Sequence, residues 1–187
     1  LMKRGLVLKK VEQYREARGS FERLLENYPR SPFSENAKYA ILETLMMEGE
    51  YEKVVRIAPE LFTQAEDGSY PVRVLLMAGD AYLNMQNAEN AVRLYTMAYK
   101  RVTDSGKEAL LERILEGISR IPTEDLEFLA GELPDDFPKG YIMYQLGLNK
   151  MEEGSYSEAQ TAFSDFVRTF PGHPAAPEAL EWGESIK

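Results

Sequence analysis

The chain has 187 residues, of which 44% are hydrophobic and 28% are charged, a composition typical of a folded protein that can bury a continuous core. Asp and Glu outnumber Lys and Arg by 31 to 22, and the resulting net charge of −9 argues against a nucleic acid partner. Cysteine is absent, which excludes disulfides, thiolate metal ligands and cysteine nucleophiles, and no apolar run approaches the roughly 20 residues that cross a bilayer.

The hydrophobic residues recur with a helical period along the whole chain, and no segment shows the sustained alternation of a strand. We expect Pro29 and Pro171 to end helices, and Thr123 to act as an N-cap. The predicted helices span, in chain order, residues 2–11, 14–28, 33–48, 51–65, 70–86, 88–103, 106–120, 123–132, 138–153, 156–170 and 175–186.

One motif occurs near both ends of the chain. It reads Tyr14-x-Glu16-Ala17-x-x-x-Phe21 and then Tyr156-x-Glu158-Ala159-x-x-x-Phe163. Each copy is followed by an aromatic residue, two prolines and an alanine: Tyr28-Pro29-x-x-Pro32 with Ala37, and Phe170-Pro171-x-x-Pro174 with Ala179. Weaker copies begin near Tyr51 and Ala88, and a fourth, poorly matching unit fills residues 123–129. This spacing predicts five repeats of roughly 34 to 37 residues.

These motifs resemble the tetratricopeptide (TPR) family, in which Gly-x-Tyr-x-x-Ala-x-x-x-Phe and a closing Pro recur at fixed offsets. The last unit is the closest copy, with Gly147, Gly154, Tyr156, Ala159 and Phe163. The resemblance implies an all-α, TPR-like α-solenoid of about five antiparallel helix hairpins with a C-terminal capping helix. We expect a single domain over residues 1–187, with the fourth hairpin degenerate and the first truncated. The truncation would make this chain a fragment of a longer protein.

Residue size suggests how such hairpins pack. Small residues such as Gly79 and Gly147 allow two antiparallel helices to approach closely. We expect Phe21, Tyr95 and Phe163 to fill the space between one hairpin and the next.

Catalysis has no positive signal in the sequence. The single histidine, His173, lies in a proline-rich connection, where a turn or capping role is the usual one. The carboxylates fall mostly at helix ends and on polar faces, and no phosphate loop, serine elbow or zinc spacing occurs. We therefore expect no enzyme activity, no cofactor and no metal.

In the TPR family the first helix of each hairpin faces a concave groove, and transferring those positions predicts a groove rich in Met and Tyr. Such side chains suit an apolar or amphipathic peptide. The alternative is that these residues pack against neighbouring hairpins. The groove also lacks the Lys and Arg clamp with which some TPR domains hold carboxylate tails. The predicted groove residues are Tyr39, Glu43, Met46, Met47, Leu76, Met77, Asp80, Leu83, Asn84, Tyr141, Tyr144, Gln145, Leu148 and Met151.

Trp182 lies in the last predicted helix, and we expect it to pack on the fifth hairpin; the alternative is docking to a following domain.

The aromatic-Pro-x-x-Pro connections are similar to those of bacterial envelope TPR proteins. These include the TPR lipoprotein of the outer-membrane β-barrel assembly machine, the Tol-Pal coordinator protein, and the amino-terminal region of lipoproteins that activate penicillin-binding proteins. The resemblance implies a non-catalytic periplasmic adaptor, carried by an outer-membrane lipoprotein, that binds a protein or peptide in envelope assembly or peptidoglycan synthesis. A ligand-sensing module attached to a downstream periplasmic-binding-protein-like domain is the alternative function, and the cytoplasm is the alternative compartment.

Overall fold

The computed structural model describes residues 1–62, 70–134 and 136–186, and within these ranges it contains eleven α-helices and no β-strand. The all-α prediction is confirmed. All eleven predicted helices are present, most with ends within two residues of those expected, although the predicted residues 63–65 lie outside the described ranges. The helices are α1 Met2–Lys10, α2 Tyr14–Asn27, α3 Ser34–Met47, α4 Tyr51–Leu61, α5 Val72–Asn84, α6 Ala88–Tyr99, α7 Asp104–Ser119, α8 Thr123–Glu132, α9 Lys139–Glu152, α10 Tyr156–Thr169 and α11 Ala176–Ser185.

Four of the turns within hairpins share one backbone feature, a residue with positive φ two positions before the second helix. These residues are Glu12 (φ 61°), Gly49 (72°), Gln86 (59°) and Gly154 (76°). Glycine adopts this left-handed conformation at no steric cost, which explains the Gly-x-Tyr signature in two of the copies. The turn before α8 instead places Pro122 directly ahead of the helix, so the fourth hairpin departs from the others in its backbone as well as in its sequence.

Two compact units divide the chain, and the first comprises Leu1–Ser105 with α1 to α6. Here α3 contacts α2, α4 and α5, and it contributes the largest share of the buried side chains. Its buried hydrophobic residues are Ala37, Ala40, Ile41, Leu42 and Leu45.

The second compact unit comprises Gly106–Lys187, and α7 begins two residues before it. Within this unit α9 contacts both α8 and α10, and α11 packs on α10. One of its cores is formed by Ala159, Phe163, Phe166, Ala176 and Ala179. The single-domain assignment stays a prediction.

Three hairpins are closed by the same pair of residues, a glycine on the first helix and a buried aromatic ring on the second. A Cβ added at Gly5 would lie closer than 3.0 Å to ring carbons of Phe21, and the same holds for Gly79 with Tyr95 and Gly147 with Phe163. The aromatic residue follows its glycine by 16 residues in each pair. The rings therefore pack against the glycine of their own hairpin, and the expectation that they also fill the space between hairpins stays a prediction.

In the second and fourth hairpins the large residue is on the first helix and the small residue is on the second helix, the reverse of the other three hairpins. Leu42 and Ile114 are fully buried on the first helices, and the second helices carry Ala58 and Ala130 16 residues later. These two hairpins thus carry a large buried residue at the position where the other three carry the glycine. The sizes of the residues at these two repeat positions are therefore exchanged.

His173 has a structural role in the connection between α10 and α11. Its Nδ1 accepts a hydrogen bond from the backbone N–H of Ala175 at 3.2 Å, which confirms a turn role. The ring lies on Gly140 and makes edge contacts with Tyr141 and Phe166, at centroid distances of 4.2 and 5.1 Å.

Burial lowers the pKa of His173 from its usual 6.5, so the folded state disfavours the imidazolium. Below pH 6.5 the unfolded chain binds a proton at His173 more readily than the folded chain does. The stability that the neutral ring contributes is therefore lost as the pH falls through the pKa of the folded state. We expect wild-type stability to fall relative to His173→Gln between about pH 7.5 and about pH 5.5 in urea titrations. Parallel pH profiles for the two proteins would contradict this role.

Candidate partner-binding face

A chain of ion pairs crosses the first helices of three consecutive hairpins. The carboxylate of Glu43 on α3 pairs with Lys9 of α1 on one side and with Arg73 of α5 on the other. The Lys9 and Glu43 side chains are 30% and 26% exposed, so this pair is partly shielded from water, whereas the Arg73 side chain is 53% exposed. Three helices that are far apart in sequence are thereby tied together on one face.

An aromatic stack lies beside the ion pairs. The guanidinium of Arg73 sits over the ring of Tyr39 at 4.4 Å from its centroid, and Tyr39 packs on Phe62 with 4.6 Å between ring centroids. Burial raises the pKa of Tyr39 and the Glu35 carboxylate adds to this rise, while Arg73 opposes it. Arg73 is held by a carboxylate and by a ring face, so its orientation is fixed.

The predicted methionines differ in exposure. Met46 and Met77 pack against the core of residues 1–105, as the alternative packing interpretation expected. Met47 is 65% exposed. We call Lys9, Tyr39, Glu43, Met47 and Arg73 the α1–α3–α5 face.

Two of the predicted residues on α5, Asp80 and Asn84, make hydrogen bonds. Tyr95 donates its hydroxyl hydrogen to Oδ1 of Asp80 at 2.7 Å, and the Asn84 amide donates to the backbone carbonyl of Asp80 at 2.8 Å. Leu76 and Leu83 are half-buried, and Asn84 is exposed. Asp80 thus orients the Tyr95 ring that closes the third hairpin.

In the second compact unit, Tyr144 is tied to the last helix. Its ring packs on Phe163 and Phe166, with centroids 6.0 and 5.7 Å away. Burial raises the pKa of Tyr144 to about 12, a hydrogen bond to Glu178 adds to the rise, and a hydrogen bond with Trp182 opposes it. Tyr144 therefore contacts α11 through Glu178 and Trp182. Trp182 is 38% exposed, and its predicted packing on the fifth hairpin stays a prediction.

The other predicted residues of α9 are half-buried. Tyr141 contacts His173, and the Gln145 amide donates to Oδ1 of Asn149 at 2.8 Å. Leu148 and Met151 pack against the core around Phe163. Along α9 most predicted groove residues thus have packing roles within their own unit.

The TPR repeat model matches three segments, residues 1–31, 73–105 and 141–173, which together make up slightly more than half of the chain. The chain belongs to the tetratricopeptide repeat family. The matched TPR segments are the three hairpins closed by a glycine and an aromatic ring, and the second and fourth hairpins lie outside the matched residues. TPR repeats generally mediate protein–protein interactions, and the family is typically non-catalytic.

A solved structure, the C-terminal part of a TPR repeat-containing protein from Cytophaga hutchinsonii, is similar over 98% of this chain and 69% of that one, at 14% identity and a TM-score of 0.49. No curated protein sequence matches significantly.

One polar cluster that the sequence analysis missed joins α8, α9 and α10. Lys150 of α9 pairs with Glu127 of α8 and Glu158 of α10, each at 2.6 Å, and its side chain is only 14% exposed. Hydrogen bonds to these two carboxylates raise the pKa of Lys150. Thr123 donates its hydroxyl hydrogen to Glu153, which links the start of α8 to the end of α9.

Metal sites and membrane-spanning helices are both absent from residues 1–62, 70–134 and 136–186. There, no group of three or more His, Asp or Glu side chains could hold a metal ion. None of the helices described is long and apolar enough to span a membrane.

Proposed function

We propose that this chain is a non-catalytic adaptor that binds a peptide or protein partner on the α1–α3–α5 face. The observation that carries the proposal is the fixed arrangement of Lys9, Glu43 and Arg73 beside an exposed methionine. A preordered cationic and aromatic surface loses little conformational entropy when a ligand binds.

The chemistry of this face favours an amphipathic segment. Met47 offers a flexible, polarizable side chain that adapts to apolar residues of a partner. The Arg73 guanidinium has five N–H donors, and those not used by Glu43 can reach carbonyl or hydroxyl oxygens. Because Glu43 already pairs with both nearby cations, the face is not a clamp for a free carboxylate tail.

Peptide selection tests this proposal without a known partner. A displayed library of random 12-residue peptides is selected on the immobilised chain, and binding of the enriched sequences is measured by calorimetry. We expect apolar residues to be enriched, and Met47→Glu and Arg73→Glu each to weaken binding by about tenfold or more, equivalent to about 1.4 kcal/mol.

Met97→Glu is the matched control, because Met97 is also an exposed methionine (41%) but lies on α6, a second helix. Binding by this variant should equal that of the wild type. Equal loss in all three variants, or loss in Met97→Glu alone, would contradict the proposed face.

We further propose that the chain acts in the periplasm as part of an outer-membrane lipoprotein and positions its partner for envelope assembly or peptidoglycan synthesis. Support comes from the aromatic-Pro-x-x-Pro connections at Tyr28 and Phe170. Antibodies against the chain should detect the native protein in the periplasmic or outer-membrane fraction. Detection in the cytoplasmic fraction would overturn this assignment.

A further inference from the structure

A cavity of about 120 Å³ lies between the second and third hairpins, within the first compact unit. Helix α5 lines it with Val74, Ala78 and Tyr82, which follow one another at intervals of four residues and so share one helix face. Leu94 of α6 and Tyr70, which precedes α5, line other parts of the wall. These side chains are aliphatic or aromatic, so the cavity suits a mainly apolar ligand.

Helix α4 forms the remaining wall with Val55, Ala58 and Pro59. In an α-helix the carbonyl oxygen of residue i accepts a hydrogen bond from the N–H of residue i+4, and it lies beside residues i+3 and i+4. Pro59 is inside α4 and has no N–H, so the helix provides no such donor to the carbonyl of Val55. The three residues that line the cavity are thus the ones around this carbonyl oxygen, which places a hydrogen-bond acceptor at the wall.

The volume of the cavity limits its ligand to about one aromatic ring. An engineered protein cavity of about 150 Å³ with an aliphatic and aromatic lining stays dry and binds benzene. The cavity between α4 and α5 is of the same order, at about 120 Å³. A buried water is held by roughly two to four polar partners, whereas most of this lining is apolar. An aromatic ring therefore fits this space better than water does.

We propose that this cavity binds a small molecule with one aromatic ring and one hydroxyl or N–H donor, of which phenol is the simplest example. The ring packs on Val74, Ala78 and Leu94, and the donor bonds to the carbonyl oxygen of Val55. Because an acceptor in an apolar wall gains from a donor, this hydrogen bond favours a phenol over a plain hydrocarbon ring. None of the lining residues belongs to the α1–α3–α5 face, so the site is additional to the proposed partner-binding function.

Calorimetry and methyl NMR of the full chain, with phenol as the probe, test the site. We expect one-to-one binding with a dissociation constant of about 1 mM or lower, a range normal for a ligand with so few atoms. The methyl signals of Val55, Val74 and Leu94 should shift in a saturable way. Those of Leu129 and Ile142, which are buried in the second compact unit, should stay unchanged.

Pro59→Ala separates the hydrogen bond from the apolar contact. Alanine restores the N–H of residue 59, which then bonds to the Val55 carbonyl as in an uninterrupted helix. We expect this variant to bind phenol about tenfold more weakly than the wild type does. Toluene has nearly the same shape and no donor, so its affinity should be equal in the two proteins. Equal phenol affinity in both proteins would overturn the assignment of a ligand with a donor.

Ala78→Leu tests the location of the site. Ala78 is 9% exposed and lines the cavity, so the larger side chain fills the space that the ring needs. We expect this variant to lose both phenol and toluene binding, and circular dichroism verifies that it folds. Unchanged phenol binding by Ala78→Leu would overturn the proposal, because it would place the ligand elsewhere. The absence of saturable methyl shifts in the wild type at up to about 10 mM phenol would overturn it as well.

Discussion

Replacing Gly79 or Gly147 with alanine is expected to lower the free energy of unfolding by about 1–3 kcal/mol. The added methyl group would overlap the ring of Tyr95 or Phe163, which are 0% and 1% exposed and have no room to move outward. Alanine is otherwise the better helix former by about 1 kcal/mol, so the steric cost must exceed that gain. Urea unfolding followed by circular dichroism measures the difference.

Glycines elsewhere in the helices provide the controls. At Gly19 in α2 and Gly131 in α8 a Cβ would meet nothing within 4 Å. Alanine at either position should stabilise the chain, by up to about 1 kcal/mol. If alanine at Gly79 and at Gly131 changed stability in the same direction, the close packing of ring on glycine would be refuted.

We expect that Leu42 and Ala58 of the second hairpin can be replaced by a glycine and an aromatic ring, the pair found in the neighbouring hairpins. Leu42→Gly is expected to cost about 3–5 kcal/mol, because it removes a fully buried side chain and adds a helix-breaking residue. Ala58→Phe alone should cost about 1–3 kcal/mol by overpacking. In the double variant the ring can occupy the space left by Leu42, as Phe21 lies on Gly5.

We therefore expect the double variant to be more stable than the sum of the two single effects predicts, by about 1–3 kcal/mol. The four proteins of this cycle are compared by urea unfolding at one pH. Additive or worse-than-additive losses would mean that the two positions do not share one packing site.

Much of the helical architecture was predictable because it rests on local signals. Periodicity located each helix, and the prolines after Tyr28 and Phe170 marked two of the helix ends. The spacing of the Gly-x-Tyr motif predicted the register of the hairpins, and the positive-φ residues repeat with the same spacing.

The reversal of large and small residues was not predictable by searching for one residue type at each repeat position. Leu42 and Ala58 together have about the same volume as the glycine and phenylalanine of the first hairpin. A search for matching residue types nevertheless counts the two residues as two mismatches. Comparing the sizes of residues 16 positions apart would have revealed the exchange, since the glycine and the ring have that separation in three hairpins.

The surroundings of the predicted groove residues were predictable only in part. The sequence placed Tyr39, Glu43 and Met47 on one helix face, and the structure adds Lys9 and Arg73 from the neighbouring first helices. These cations lie 34 and 30 residues from Glu43, close to one repeat length, which is the signal that could have identified them. The contacts of Tyr144 were not predictable from the repeat spacing, because its partners Glu178 and Trp182 belong to α11.

Site-specific photo-crosslinking tests the proposed binding face most directly. A benzophenone amino acid is placed at Met47 in one protein and at Met97 in another, both exposed positions on helices of residues 1–105. With a selected peptide present, we expect covalent adducts at position 47 that disappear when Arg73→Glu is added, and none at position 97. Adducts at position 97 with none at position 47 would contradict binding on the α1–α3–α5 face.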